Sequence, residues 1–198
     1  MNPDQYLPLF AFTTVMIGTP GPNNLMLMSA GANFGFRRSI PHILGIVVGC
    51  QVLLWAIALG LGQLLEAYPQ AALILKTCGG LFLLYMAYQL ARPRKSKLEV
   101  DKEIKPLTFL QAALFQWVNP KAWLMLVTVI STFGDREHFF ISVLTIAVIF
   151  FFMGIPLISA WNIGGVALKS WLHVGQRLVR FNRAMALLLL LSMYPMMV

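Results

Sequence analysis

The apolar positions of this chain fall in long unbroken blocks, and the charged residues gather between them. Residues 7–36, 39–65 and 139–168 contain no Asp, Glu, Lys or Arg. A helix of about 20 apolar residues crosses a hydrocarbon layer of about 30 Å, so each block predicts one crossing. Residues 71–91 and 107–133 predict two more, although Lys76 lies near the start of the first and Lys121 inside the second. A sixth block, 184–198, is short. At about 1.5 Å per residue it reaches about 22 Å, so residues 181–183 must enter the interface. Membrane-barrel strands alternate apolar and polar positions over about 10 residues, and these blocks do not. The expected architecture is an all-α integral membrane protein with six transmembrane helices.

Composition supports this. Of 198 residues, 59% are hydrophobic and 11% charged, with a mean hydropathy of +0.75; that is too apolar for a single core under a wet surface. The net charge of +8 would suggest nucleic acid if it were spread over one face, but its placement alternates. Arg37 and Arg38 follow the first block, and Arg92, Arg94, Lys95, Lys97, Lys102 and Lys105 lie between the third and fourth. Lys169, Arg177, Arg180 and Arg183 lie between the fifth and sixth. The other two connections hold Glu66 and the run Asp135, Arg136, Glu137. Lys and Arg mark cytoplasmic connections, which predicts periplasmic termini. The basic surface then faces anionic lipid, and nucleic acid is excluded as a partner. The start of the chain carries Asp4 and no Lys or Arg before the first block, unlike a removable signal peptide, so that block is expected to remain.

The polar connector "RPRKSKLEVDKEIKP", 92–106, divides one membrane domain into halves 1–91 and 107–198, each with three crossings. An odd number per half makes the halves inverted repeats, a transporter plan whose substrate site lies where corresponding helices are interrupted. The first helices of the two halves compare directly: "TPGPNNLMLMS" at 19–29 and "VNPKAWLMLVT" at 118–128. Proline inside a helix removes a hydrogen bond and clashes with the preceding turn, so helices one and four are expected to be broken.

A break leaves two half-helix ends of opposite partial charge. Amide hydrogens near 23–25 favour an anion and carbonyls near 16–18 a cation, so a zwitterionic amino acid would fit without a charged side chain. The candidate substrate-binding residues are Gly18, Thr19, Pro20, Gly21, Pro22, Asn23 and Asn24 of the first break, with Asn119, Pro120 and Lys121 of the second. Lys121 is the one charge deep inside a block, and such residues are functional candidates by default. Cys50 and Cys78 lack metal-ligand or redox spacing, are expected to stand far from both breaks, and read as small buried hydrophobes. His42, His138 and His173 lie in separate segments, with His42 expected at an interface. No metal or cofactor is expected. Gly45, Gly49, Gly60, Gly79 and Gly80 read as points of close helix approach.

These motifs, with "GFRRS" at 35–39, "GIVVG" at 45–49, "GGLFLLYMAY" at 79–88 and "FQWVNPKAWL" at 115–124, make the chain similar over nearly its whole length to the LysE/RhtB family of bacterial amino acid exporters. "PGPNN" and "VTVISTF", 127–133, lean to its cysteine/O-acetylserine subgroup. The resemblance implies export of amino acids or close derivatives across the inner membrane by alternating access, coupled to the proton gradient. It carries over Pro20, Gly21, Pro22, Asn23, Asn119, Pro120 and Lys121 as motif residues. The chain departs from the family in two places. The last block, "AMALLLLLSMYPMM", lacks the glycines of many relatives, and no Asp or Glu lies within a crossing, so no proton carrier is assigned. The expected partners are a small amino acid, a coupling proton and the lipid bilayer; self-association into a homo-oligomer is left open. The rival readings are a passive channel, a membrane enzyme, for which a nucleophile with its base is wanting, and a soft-metal exporter, for which paired thiols are wanting.

Overall fold

In the computed structural model of the protein, residues 3–92, 106–172 and 174–192 are described; the connector at 93–105, His173 and residues 193–198 lie outside them. Nearly all of the described residues are helical, and no strand occurs among them. The first block divides into α1 (Tyr6–Gly18) and α2 (Pro22–Phe34). Next, α3 (Phe36–Ala56) runs into a π-helical turn at Ile57–Leu61 and the short α4 (Gly62–Ala67). The first half closes with α5 (Pro69–Ala91). The second half opens with α6 (Phe109–Val118) and α7 (Pro120–Phe133), bent by 67° at Asn119. It continues with α8 (Phe139–Leu172) and α9 (Arg177–Leu191).

The two predicted breaks are present, and their prolines explain how. Pro22 and Pro120 are the first residues of α2 and α7, where a missing amide hydrogen removes no helical bond. The prolines therefore start new helices instead of kinking old ones. Thr19 and Gly21 are extended, so the chain crosses from α1 to α2 outside helical geometry. By length and apolarity, Phe36–Leu65, Pro69–Ala91 and Phe139–Leu172 can each cross a membrane, and the bent α6–α7 pair raises the number to four among the described residues. Taken singly, α1 and α2 at 13 residues and α9 at 15 are too short to cross. The start of α9 at Arg177 corrects the expected boundary at 184: Arg177, Arg180 and Arg183 sit on its first turns, because arginine is a good helix former whose long stem lets its charge reach water.

The main helix pairs join one half to the other: α2 lies on α8, α3 on α6, and α5 on α9. Glycine makes the first two possible. A Cβ on Gly31 would run into the carbonyl oxygen of Asn162, and one on Gly165 into that of Met28. Gly45 and Gly49 meet the carbonyls of Phe109 and Ala113 in the same way. Gly60 behaves differently from expectation: it lies in the π turn at φ 105 with open space around it, so its freedom of backbone, not its size, is what that position uses. Leu59, Leu81, Phe140 and Phe152 project outward, exposed and apolar, as a surface solvated by hydrocarbon requires.

Candidate functional site

The two breaks open on one cavity of about 60 Å³, whose wall includes Gly21, Pro22, Asn23, Asn24, Asn119 and Lys121. Lys121, at the start of α7, reaches across to the end of the first break. Its Nζ donates to the Thr19 carbonyl at 2.7 Å, to Thr19 Oγ1 at 2.9 Å and to the Pro20 carbonyl at 3.2 Å. Asn24 Nδ2 donates to the carbonyls of Ile17 and Thr19 at 2.7 and 2.8 Å. Trp161 of α8 donates its indole N–H to the Gly18 carbonyl at 3.1 Å. The carbonyls ending α1, expected to await a substrate's ammonium, are thus bonded by the protein itself. At the other half-helix end, Leu25 N–H closes the first turn of α2 on the Gly21 carbonyl. The amides of Asn23 and Asn24 belong to the turn that a helix leaves without internal partners.

A residue that the sequence reading passed over links the breaks. Gln116, fully buried near the end of α6, pairs amides with Asn23: Asn23 Nδ2 donates to Gln116 Oε1 at 2.8 Å, and Gln116 Nε2 donates back at 3.2 Å. Gln116 Nε2 also donates to the Ala112 carbonyl at 2.8 Å, while Asn119 Nδ2 and Cys50 Sγ converge on its Oε1 at 3.4 and 3.6 Å. Asn119 Oδ1 in turn accepts from the Lys121 amide at 3.2 Å and caps α7. The one legible signal for Gln116 was its spacing, three residues before Asn119 and hence on the same helical face.

Cys50 corrects an expectation, because it stands in the wall of this cavity and not apart from it. Gly45 and Gly49 let α3 close on α6 immediately before it. Cys78 is exposed on α5. Of the other expected residues, Thr19 and Pro20 join through the carbonyls that bind Lys121, and Gly18 through the one that binds Trp161. Pro120 faces a different cavity, of about 350 Å³, beside Trp117, Trp123 and Lys76. His42, expected at an interface, is 1% exposed, because α3 begins at Phe36 and carries it two turns into the packed region.

Lys121 is the one charged side chain in the wall of the break cavity among the described residues. With the α2 amides it makes the cavity positive, suited to a carboxylate. Apart from Lys121, the amides of Asn23, Asn24, Gln51 and Asn119 and the Cys50 thiol, the wall is apolar, with Met16, Ile46, Val47, Met125 and Phe150, suited to a small solute with few polar groups. No group of three His, Cys, Asp or Glu among the described residues could hold a metal ion.

Comparison with known proteins bears on this geometry. The LysE type translocator family model matches residues 14–192. Similar proteins include the cysteine/O-acetylserine efflux protein of Escherichia coli (strain K12), 29% identical over 196 residues that cover 96% of this chain and 95% of that one. The protein of the same description from Shigella sonnei is similar to the same extent. No solved structure matches.

Proposed function

We infer the function from the premise that the chain belongs to the LysE type translocator family: it exports a small amino acid or close derivative, cysteine or O-acetylserine foremost, across the bacterial cytoplasmic membrane. The observation that carries this reading is the meeting of two interrupted helices at one cavity, with Lys121 of the second bonded to the end of the first. The substrate carboxylate takes the Lys121 ammonium and the amides opening α2. The substrate ammonium takes the second lone pair of the side-chain oxygens of Asn23 and Asn119, each of which accepts one bond within the protein. The small side chain lies toward Cys50.

The proposed arrangement is six crossings in two inverted halves, with both termini periplasmic by the distribution of Lys and Arg. Pairing across the halves supports it: the opening segment of each half packs on the second helix of the other, α1 on α8 and α6 on α3. Alternating access driven by the proton gradient completes the reading. It is tested by efflux from loaded cells across a panel of amino acids, with and without an uncoupler. Export of O-acetylserine or cysteine above the empty-vector rate, abolished by the uncoupler, is the expected result. Rates equal to the vector for the whole panel would defeat the reading. Efflux indifferent to the uncoupler would turn it into the passive channel.

A further inference from the structure

A second cavity, of about 290 Å³, is lined by residues at the end of α5, the start of α6 and the far part of α2. It is several times larger than the cavity at the breaks, and α2 and α3 contribute to the walls of both. On α2, Pro22 and Asn23 line the first cavity and Met26, Ser29 and Asn33 the second; on α3, Ile46 lines the first and His42 the second. Met26 packs in one apolar cluster with Ile46, Val47 and Ile158 of the first cavity's wall, so the partition between the cavities is built of side chains.

The wall of the second cavity holds polar groups with nothing to bond. Ser29 Oγ and both ring nitrogens of His42 are buried without a hydrogen-bond partner, although native proteins pair nearly all such atoms. A neutral imidazole offers one donor and one acceptor, and a hydroxyl offers both. Asn33 does not supply the lack, since its amide is committed to the Ser29 carbonyl at 2.8 Å and to Asn182 Oδ1 at 3.0 Å. Arg92 is the one residue in this wall with a permanent charge, and no carboxylate lines it among the described residues. The cavity therefore presents a cation at one point, and just behind its surface at another stand neutral donors and acceptors that lack partners.

We propose that this cavity is a second solute site, taking a small molecule that bears a carboxylate and further hydrogen-bonding groups: here, an amino acid. Arg92 holds the carboxylate, and His42 and Ser29 turn to the polar remainder. This rests on the export reading and gives it an order: the solute binds first from the side of the 92–106 connector, then passes the Met26 partition to the breaks.

The test is equilibrium binding of radiolabelled O-acetylserine to the purified protein in lipid nanodiscs. The parent is expected to bind two molecules per chain. Ala30→Trp, which fills the second cavity, should lose one and keep the other, while Lys121→Met should do the reverse. If Ala30→Trp does not fold, the pair Ser29→Ala with His42→Phe replaces it. That pair removes unpartnered polar atoms, so it should melt no lower than the parent while weakening one site at least about tenfold. A single site, sensitive to Lys121→Met and indifferent to the second-cavity variants, would overturn this inference and leave the export reading standing. No binding at all would defeat both.

Discussion

Lys121 does two things at once: its ammonium joins the halves of the chain through Thr19 and Pro20, and it is the charge of the break cavity. Hydrogen bonds to charged groups contribute about 1.5–3 kcal/mol each. Lys121→Met is therefore expected to lower efflux by at least about tenfold while the protein still reaches the membrane; parental efflux per molecule would remove Lys121 from the site. Gly165 gives a prediction of the opposite kind. A methyl group there meets the Met28 carbonyl, and overpacking costs about 1–3 kcal/mol, so Gly165→Ala should lower the melting temperature measured in detergent. At this scale the sequence was uneven as a guide. Lys121 stood out as a lone charge in an apolar block, but an amide such as Gln116 is unremarkable in a helix until its partner is known. The roles of Cys50 and Trp161 depend on which distant helix each one touches, and no local pattern encodes that. His42 beside Pro41 and a basic connection read as interfacial because hydropathy registers depth along the chain and not burial beneath neighbouring helices.

The break between α1 and α2 is the element on which the proposed function turns. Replacing Pro20, Gly21 and Pro22 together with alanine removes two prolines that each cost about 3 kcal/mol in a helix interior, and it should fuse α1 and α2 into one helix. The added Cβ at position 21 meets only the flexible Lys121 stem, which can move aside. The variant is expected to reach the membrane and to lose efflux, with a lower melting temperature because fusion gives up the Lys121 and Asn24 bonds to Thr19; parental efflux would mean that the break is only a kink. Asn23→Ala is a different case, because it strips Gln116 of a partner in a fully buried position. It should cost about 1–3 kcal/mol of stability in addition to impaired efflux. Both breaks were legible because the steric cost of proline is local. The ends of the helices were not. Charge was taken as a stop, whereas α8 runs past Lys169 to Leu172 and α9 starts among arginines.

For the whole molecule, the distribution of Lys and Arg makes a direct prediction. With Cys50 and Cys78 replaced by alanine, a cysteine at position 97 should react with a membrane-impermeant maleimide in inverted vesicles and not in intact cells; labelling from outside would reverse the topology. Helical class and family could be read from block lengths and motifs. The helix pairings could not, since periodicity says which face of a helix is apolar and leaves its neighbour unnamed. Those pairings carry a mechanical consequence. Two backbones in glycine contact cannot slide past one another without separating, so α2 and α8 behave as one body, and α3 and α6 as another. Each body takes one helix from either half of the chain. On the proposed alternating access, the motion that opens the break cavity to either side would divide the molecule between these mixed pairs and not at the connector that divides the sequence. Lys121 and Thr19, whose helices α7 and α1 belong to neither pair, are the tie that such a motion has to stretch.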